Sequence, residues 1–477
     1  MIGKHFVEFG AADFAKGVST SADIADGGFS FETDAVNPLA VPGVLYSPAA
    51  SVNSDTDTRL TGNLIASCPD MTFTSPSERL YVSDDGKAYR YNGTKLDAAG
   101  IALTAAQVWA QGFTDIVTFG GEAYVSSKAS LTRWQNDNTI DAGGSWPVTF
   151  TTTNVPHPGL VYENNMYWAD KNLLLIQSSV GDAVAPTTVL TLSADQMIVA
   201  LGIDPSSGLM LISTKNALDV SNTISTINKL LWYDGNSAKV SKSAVVEEGI
   251  TGFQSVGGSV LVGYGFNIGY LSGSGIQFLR KLKNVTASNE ELPYKHKMAS
   301  IGNTFYVLDG KQILAFGEIL PGRKVWYPAW SNPVNSNKPT CIANVGSKKL
   351  GIAFATTKFY TFNTSSVATA DASIVYTNKY NFPRPVFIRS LYVEYADAVA
   401  NSDNSRSIAY IADSIPFSSS TILTDALYNS SGASVYVFPD ITGGIKDIKV
   451  RWLQLKYTNS STLYGLRRII IYYDVAE

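Results

Sequence analysis

The sequence predicts an all-β protein built around a β-propeller of about seven blades, and three observations carry this prediction. A similar unit recurs through residues 70–365, the steps between its copies are nearly equal, and turn residues separate short strand-like runs. A period of about 40–45 residues with several strands per unit is typical of four-stranded propeller blades. Helical patterns are nearly absent, with residues 105–112 as one short candidate.

Each copy of the unit contains an apolar residue, a small residue, Ser or Thr, another apolar residue, a tight turn and an aromatic or aliphatic strand. Residues 116–124 and 298–306 are two copies with the same internal spacing. The second strand of each unit supplies one marker residue: Tyr81, Tyr124, Tyr167, Leu211, Val262, Tyr306 and Ile352. Successive markers are 43 to 51 residues apart. A long β-sandwich or a solenoid is the alternative, but a sandwich has no reason to keep its steps so nearly equal.

The residue types also fit propeller geometry. Compact side chains such as Val117, Ala299 and Ala343 stand in the first strand of their units, where strands crowd around the axis. Aromatic side chains follow in the second strands, and each can bury roughly 150–250 Å² between blades. Asp-Gly pairs at residues 85–86 and 309–310 are typical of tight hairpins.

The two flanks do not follow the repeat, so we divide the chain into an extended N-terminal arm (1–55), a propeller (56–372) and a C-terminal β-sandwich (373–477). The arm is rich in Gly, Ala, Ser and Asp, and the density of its Pro and Gly residues argues against a packed domain. Its apolar side chains need a surface to cover, on the propeller or on a neighbouring subunit; a mobile tail is the alternative.

The sandwich prediction depends on five strand-like runs in about 100 residues. Residues 381–385, Asn-Phe-Pro-Arg-Pro, are interpreted as a linker turn that precedes them. The predicted strands are residues 388–395, 407–411, 434–438, 448–457 and 466–473.

Composition excludes some partners. Charged residues make up 16% of the chain and its formal net charge is −4, with no block of like charges, which argues against sequence-specific nucleic-acid binding. No stretch approaches the roughly 18 apolar residues that a membrane span needs. The N-terminus shows no signal-peptide pattern.

The chain contains two cysteines, Cys68 and Cys341. Each is most simply a small buried hydrophobe. A single disulfide between them is the alternative, because both lie near the ends of the repeat region.

No catalytic, cofactor-binding or metal-binding residue is predicted. His5, His157 and His296 are scattered, without a second His or Cys at ligand spacing, and no Gly-x-Ser-x-Gly elbow is present. The glycines of residues 263–269 lack the spacing and the helix of a phosphate loop, so we interpret them as relief of crowding in a blade.

Acidic residues give only weak signals. Residues 83–86, Ser-Asp-Asp-Gly, are one residue shorter than the Ser-x-Asp-x-Gly-x-x-Trp turn of propeller sialidases, and we interpret them as a plain hairpin turn. Asp55 and Asp57 lack further Ca²⁺ ligands. The glutamate pairs at residues 247–248 and 290–291 are adjacent in sequence, whereas glycosidase carboxylates usually come from different elements.

The ends of the chain carry a family resemblance. Phe14-Ala-Lys-Gly-Val leads on to Asp34-Ala-Val-Asn-Pro and Pro42-Gly-Val-Leu, and this opening is similar to the start of phage tail proteins that precede a propeller. Residues 451–457 and 466–474 resemble the end of the same proteins. With its propeller, the chain therefore resembles a virion structural protein of tailed bacteriophages.

This resemblance implies a ring-forming tail subunit of the nozzle, hub or tip type, assembled in the host cytoplasm. Its partners would be copies of itself in a symmetric ring and other virion tail proteins. The family has no catalytic motif, so no site residue is transferred. A receptor- or glycan-binding propeller is the second hypothesis and a glycan-processing enzyme the third, because fold alone does not settle function.

Overall fold

The structure is a computed structural model of the 477-residue chain. It describes residues 5–10, 52–53, 60–71, 79–96, 101–102, 114–135, 146–181, 185–216, 227–273, 275–282, 294–310, 312–320, 322–331, 339–346, 348–355, 358–364, 373–377, 379–396, 406–412, 423–424, 435–438, 449–459 and 465–476. Predictions for residues 105–112, for Asp55 and Asp57, and for the glutamates at 290–291 lie outside this part of the chain.

The described residues form almost entirely β-strands, and seven of their sheets have four antiparallel strands. The first two strands of the chain are β1 (His5–Gly10) and β2 (Val52–Asn53). Sheets one to three contain β3 (Leu64–Pro69), β4 (Arg79–Ser83), β5 (Lys87–Tyr91) and β6 (Ile101–Ala102); β7 (Ile116–Phe119), β8 (Glu122–Ser126), β9 (Ser130–Trp134) and β10 (Val148–Thr149); and β11 (Gly159–Tyr162), β12 (Asn165–Asp170), β13 (Leu173–Gln177) and β14 (Thr187–Thr191).

The remaining four-stranded sheets continue the pattern. Sheets four and five contain β15 (Gln196–Ile203), β16 (Met210–Asn216), β17 (Asn228–Tyr233) and β18 (Lys242–Val246), and then β19 (Ile250–Val256), β20 (Ser259–Tyr264), β21 (Asn267–Ser272) and β22 (Gly275–Lys281). Sheets six and seven contain β23 (Met298–Ile301), β24 (Thr304–Asp309), β25 (Gln312–Leu320) and β26 (Arg323–Ser331), and then β27 (Pro339–Asn344), β28 (Lys349–Phe354), β29 (Lys358–Asn363) and β2.

The first strands of these sheets form a closed ring. Each of β3, β7, β11, β15, β19, β23 and β27 contacts the next, and β27 contacts β3 again. A closed circle of four-stranded sheets is the architecture of a β-propeller. The predicted all-β propeller is therefore confirmed, and we call the sheets blades 1 to 7 in chain order.

The last blade takes its outer strand from the opposite end of the sequence. Val52 pairs with Thr361 and Asn53 with Tyr360, so β2 completes the sheet that β27, β28 and β29 begin. Residues 52–53 belong to the predicted arm, but they serve as part of a blade.

All seven marker residues lie in the second strands of their blades and are almost completely buried. The apolar clusters combine side chains of neighbouring blades; Trp134 of blade 2, for example, packs with Leu80 and Val82 of blade 1. The repeat was visible in the sequence because each blade must fill the same wedge of space against the next.

The chain divides into two compact units. The propeller unit comprises residues 52–311 and 334–361, and the C-terminal unit comprises residues 1–51, 312–333 and 362–477. The strands β25 and β26 of blade 6 are thus grouped with the C-terminal unit. Among the described residues, no helix is long and apolar enough to cross a membrane.

The C-terminal unit contains one branched eight-stranded antiparallel sheet. Its further strands are β30 (Ser373–Tyr376), β31 (Tyr380–Tyr395), β32 (Arg406–Ala412), β33 (Leu423–Thr424), β34 (Val435–Phe438), β35 (Lys449–Asn459) and β36 (Leu466–Val475). The order is β1-β36-β31-β35-β32-β33, with β30 on β35 and β34 on β31. The five predicted strands are all present, and the two-layer sandwich stays a prediction.

The predicted linker turn at residues 381–385 is wrong. These residues lie inside β31, where the pairing with β35 is interrupted between Asn381 and Val386. Pro383 and Pro385 have no backbone N–H to donate, so they are tolerated where the ladder of hydrogen bonds is broken. Proline was therefore a correct sign of irregular pairing but not of a strand end.

The N-terminal strand is an edge strand of this sheet. β1 pairs along its whole length with β36, from His5 opposite Tyr473 to Gly10 opposite Arg468. Phe9 is buried, whereas Phe6 is largely exposed beside Tyr472. The two described pieces of the arm are thus both strands of sheets.

Candidate functional site

The candidate site is a buried polar network inside the ring of first strands. A short 3₁₀ helix, Tyr294–Lys297, directly precedes β23 and carries the basic residues Lys295, His296 and Lys297. This helix contacts β3, β19, β23 and β27. Since these are first strands of four blades, the helix lies at the propeller axis.

Asp115 is the acceptor at the centre of this network. It stands just before β7, and its carboxylate accepts hydrogen bonds from the backbone N–H groups of Ile116 and Gly159, each at 2.8 Å. Its own N–H donates to Ser126 Oγ at 2.9 Å. These bonds hold the carboxylate between blades 2 and 3.

Lys295 approaches the same carboxylate from the 3₁₀ helix. Its Nζ lies 2.7 Å from Asp115 Oδ2 and 2.9 Å from Oδ1, and it donates to the Gly159 carbonyl at 3.0 Å. The three ammonium donors therefore reach three oxygen acceptors. One side chain joins the helix before blade 6 to the inner strands of blades 2 and 3.

His296 adds blade 1 to the network and reveals its own tautomer. The backbone N–H of Ser67 donates to His296 Nδ1 at 3.3 Å, so this nitrogen carries a lone pair. The proton is then on Nε2, which donates to Asp115 Oδ1 at 3.0 Å. The imidazole is neutral in this arrangement, and burial lowers the pKa of His296 despite the neighbouring carboxylate.

The carboxylate of Asp115 is held in its charged form. Burial by itself raises the pKa of a carboxyl group, but here the Lys295 ammonium and the hydrogen bond from His296 outweigh it. The pKa of Asp115 therefore lies well below its usual range. Lys295 and Asp115 compensate each other's charge, and His296 contributes none.

The network does not have the geometry of a catalytic triad. A triad base must accept a proton from a nucleophilic hydroxyl or thiol. In His296 the lone pair on Nδ1 already accepts the backbone N–H of Ser67. The hydroxyl oxygen of Ser67 lies 3.3 Å from Arg79 Nε and Nη2, which donate to it. The arrangement can fix blades to one another, and it does not activate a hydroxyl.

An axial cavity of about 1070 Å³ opens beside the network within the propeller unit. It is lined by parts of six first strands, residues 67–69, 116–119, 159–161, 253–254, 298–300 and Asn344, and by Met71, Arg79, Lys295, His296, Asn164, the 120–121 turn and residues 178–180. Lys295 also lines a void of about 20 Å³ together with Asp115 and His157. The network therefore separates the two spaces.

The charge of the described lining is one-sided. Arg79 and Lys295 are its charged side chains and His296 its imidazole, and no aspartate or glutamate belongs to the described lining. Arg79 is oriented by Ser67 Oγ and by the carbonyl of Asn344, to which Nη1 donates at 3.3 Å.

Of the three histidines, the sequence missed the role of His296. His157 stacks on Phe150 with ring centroids 3.7 Å apart, and its Nδ1 lies 2.9 Å from the Ala169 carbonyl, which is a structural role. His5 lies on β1 in the C-terminal unit, 5.5 Å from the ring of Tyr473. Among the described residues, no group of three or more His, Cys, Asp or Glu side chains forms a candidate metal site.

Both cysteines are buried free thiols, so the disulfide alternative is not realised. Cys341 Sγ lies 3.7 Å from Ser67 Oγ. Burial raises the pKa of Cys68 to about 12 and that of Cys341 to about 11. Neither thiol is a reactive thiolate at neutral pH.

The remaining motifs are structural. Residues 83–86 connect β4 to β5, with Gly86 at φ 84° and its N–H donating to the Ser83 carbonyl at 3.2 Å, so the plain hairpin turn is confirmed. Gly269 lies on β21, where an added Cβ would stand 2.4 Å from Ile276, so crowding explains this glycine. The glutamates at 247–248 lie between β18 and β19.

The sequence offered only faint signals for the network. Asp115 directly precedes the first strand of its repeat, and one residue, Lys297, separates Lys295-His296 from another copy. An aspartate and a lysine at the start of two repeats are ordinary in isolation. Their meeting depends on closure of the ring.

No protein-family model matches the chain, and no curated protein sequence matches it. Solved structures similar in fold include "YCF48 bound to D1 peptide", which is 9% identical, with 66% of this chain and 97% of that chain covered at a TM-score of 0.43. "YCF48 from Cyanidioschyzon merolae" is 12% identical, with 66% and 99% covered at 0.43. The Pan2 WD40 domain of Neurospora crassa is 9% identical, with 67% and 96% covered at 0.44. The class of this chain, a β-propeller protein, rests on its own sheet order.

Proposed function

We propose that this protein is a non-catalytic structural subunit of a bacteriophage virion tail that acts by holding protein partners. The observation that carries the proposal is the axial network. A buried, charge-compensated lock joins blades 1, 2 and 3 to the helix before blade 6. This network fixes the blades in a rigid disc, and the titratable groups at the axis are hydrogen-bonded to one another.

The tail assignment is supported by the resemblance of the chain ends to phage tail proteins and by the way those ends are used. The N-terminal strand β1 belongs to the C-terminal sheet, whereas β2 closes blade 7. An arm that enters both units suits a subunit whose position in an assembly depends on its termini. The role as a ring-forming nozzle, hub or connector subunit, assembled in the host cytoplasm, follows from the same resemblance.

A receptor- or glycan-binding propeller is the second candidate, and the axial cavity favours it. At about 1070 Å³ the cavity lies just above the usual range for ligand sites, about 300–1,000 Å³, so it is large enough to hold a ligand. A binding role without catalysis is common to both candidates.

The proposal is tested by measuring the oligomeric state of the purified protein, its location in the virion and its catalytic activity. Light scattering of the purified chain should show a closed oligomer, electron microscopy should show rings, and immunogold labelling should mark the tail of virions from cells that produce the protein. The purified protein should show no turnover on a panel of glycans and esters. A strict monomer that labels no virion contradicts the tail role, and turnover abolished by changing one acidic residue contradicts the non-catalytic role.

A further inference from the structure

We propose that β18, the outer strand of blade 4, is a docking site for an extended segment of another protein, which adds to this sheet as a fifth strand. The segment carries an acidic side chain opposite Lys242 and an apolar side chain opposite Val245. The inference rests on the proposed function, the holding of protein partners, and names the surface and the chemistry of one partner.

The position of β18 in its sheet is the first support. It is the last strand in the order β15-β16-β17-β18, and no described strand pairs with its outer side. Such an edge strand presents unpaired backbone N–H and C=O groups, to which an extended segment can hydrogen-bond. The outer strands β6, β10 and β2 of three other blades have only two residues each, whereas β18 has five.

One face of this strand carries an exposed apolar side chain. Val245 exposes 74% of its surface, and it lies opposite Lys229 of β17. Ile227, two residues before Lys229, is on the same face by strand alternation and is also exposed. Apolar side chains exposed together on a long, unprotected edge are typical of a surface that pairs with another strand.

The other face of β18 meets blade 5. Ala244 of β18 and Ile276 of β22 both pack against the apolar cluster between blades 4 and 5, and the two strands contact each other. Alternation places Lys242 on the face of Ala244 and Phe278 on the face of Ile276. Because Phe278 is 57% exposed, a strand added outside β18 has apolar surface on both of its sides.

Charge selects the partner. β18 and β22 together contain Lys242, Arg280 and Lys281 and no acidic residue. Lys242 Nζ stands 4.3 Å from the ring centre of Trp232 and donates to the Gly273 carbonyl at 3.3 Å. Both of these partners are neutral, so they position the ammonium without cancelling its charge. A carboxylate directly opposite Lys242 therefore forms a favourable cross-strand pair.

The spacing of these residues defines a motif in the partner. Lys242 and Val245 are three residues apart, so their side chains point to opposite faces. The matching segment has an acidic and an apolar residue three positions apart, in either strand direction. Glu247, which directly follows β18, disfavours a second acidic residue at that end. Two copies of β18 do not satisfy this motif, because neither strand supplies an acidic residue.

The test selects ligands with the full-length protein. Random peptides of about twelve residues are enriched on the immobilised protein, and enriched sequences are made with blocked ends and a fluorescein label. We expect them to share the acidic and apolar pair at a spacing of three. Fluorescence anisotropy measures the Kd of each peptide, and hydrogen exchange should show that a bound peptide protects the amides of residues 242–246. A proline in the middle of the peptide should abolish binding, because strand pairing needs its N–H.

Variants connect binding to the strand. Val245→Glu changes an exposed side chain, so the fold is retained, and it should weaken binding about tenfold or more by removing the apolar contact and repelling the acidic residue. Lys242→Gln should weaken binding about threefold and remove most of its salt dependence. Met71→Glu, at another exposed apolar position, and Lys358→Gln, at an exposed lysine of blade 7, are the matched controls and should leave the Kd unchanged.

Several results would overturn the inference. These are the absence of any enriched peptide, enriched peptides without an acidic residue, equal binding by Val245→Glu, or protection of amides outside residues 242–246 only. A change in the oligomeric state of Val245→Glu would assign β18 to contacts between copies and would also overturn it. Ring formation and tail labelling are measured separately on the unchanged protein, so failure of the docking site and failure of the tail assignment are distinguishable.

Discussion

Lys295 and Asp115 lie 180 residues apart in the chain, yet Lys295 Nζ stands 2.7 Å from Asp115 Oδ2. The pair joins the start of blade 2 to the helix that precedes blade 6. Its carboxylate is almost fully buried and its ammonium about 30% exposed in its side chain. This contact ties distant parts of the ring together, and its removal is the most direct test of the axial lock.

Asp115→Ala should destabilise the propeller strongly, because it leaves the Lys295 ammonium and two backbone N–H groups without their acceptor. Breaking a buried ion pair typically costs about 3–5 kcal/mol, and partial solvent access of Lys295 places the expected loss near the lower end. Chemical denaturation followed by intrinsic fluorescence measures the change in free energy of unfolding.

A double-mutant cycle isolates the pair from the rest of the network. Lys295→Met alone and together with Asp115→Ala should show a coupling energy of at least about 1 kcal/mol. Asp195→Ala, at an exposed turn position, is the matched control and should change stability little. Additive effects of the two axial substitutions would contradict a direct interaction.

Stability should fall as the pH drops below about 6.5, the usual pKa of histidine. Burial lowers the folded-state pKa of both His157 and His296. In that range the unfolded chain binds more protons than the folded chain, so acid favours unfolding, by up to about 1.4 kcal/mol per pH unit for each histidine. The depressed pKa of Asp115 adds a further loss below about pH 4.

The measurement is the free energy of unfolding at a series of pH values between 5 and 8.5. His296→Gln keeps an N–H donor for Asp115 and should reduce the slope between pH 5 and 6.5. The control is the difference in stability between the two proteins from pH 7.5 to 8.5, which should stay constant. The histidines are neutral there in either state, and the thiols of the unfolded chain, which begin to ionise in this interval, affect both proteins equally. An unchanged acid slope in His296→Gln would contradict the lowered pKa.

Two N-terminal deletions should have different effects, because β1 and β2 serve different sheets. Deletion of residues 1–45 removes β1 but keeps β2, so the propeller should fold normally while assembly is impaired. Deletion of residues 1–55 also removes β2 and leaves the edge of β29 without its partner, which we expect to cost about 1–3 kcal/mol for the lost hydrogen bonds.

Thermal unfolding and light scattering of both deletion proteins check this prediction. Val52→Pro in the full chain is the matched point substitution, since it removes a backbone N–H from β2 and keeps the length. Equal melting temperatures for the two deletions would show that β2 does not close the propeller. Normal assembly of the shorter deletion would show that the arm is a mere tail.

Both thiols should resist modification in the folded protein. Burial raises the pKa of Cys68 to about 12 and that of Cys341 to about 11, so the thiolate fraction at pH 8 is negligible. An aromatic disulfide reagent should react with both only after denaturant is added. Mass spectrometry of non-reduced protein should find two free thiols; a mass lower by two hydrogens would contradict the structure.

The blades were predictable from the sequence because each blade has the same packing requirement against its neighbour. Tyr81, Tyr124 and Tyr167 recur at equal steps because every second strand fills the gap to the next blade. Turns such as Asp85-Gly86 mark hairpins through backbone geometry alone. Both signals depend on contacts within one blade or between adjacent blades, so short stretches of sequence are enough to show them.

The residues of the candidate site could not be found in the same way. His296 looked isolated because its partners, Ser67 and Asp115, are 229 and 181 residues away. The proline-rich run at 381–385 was misinterpreted because a proline that ends a strand and one that interrupts its pairing look alike in sequence. Only the position of the partner strand β35 distinguishes them.

Repeat period, strand alternation and turn residues by themselves determined that this protein is an all-β propeller with marker side chains in its second strands. Tertiary structure alone decided that β2 completes blade 7, that β1 joins the C-terminal sheet, and that Asp115, Lys295 and His296 meet at the axis. The reason is physical. Hydrogen bonds within a hairpin follow from neighbouring residues, whereas closing a ring brings together groups whose only relation is the shared axis.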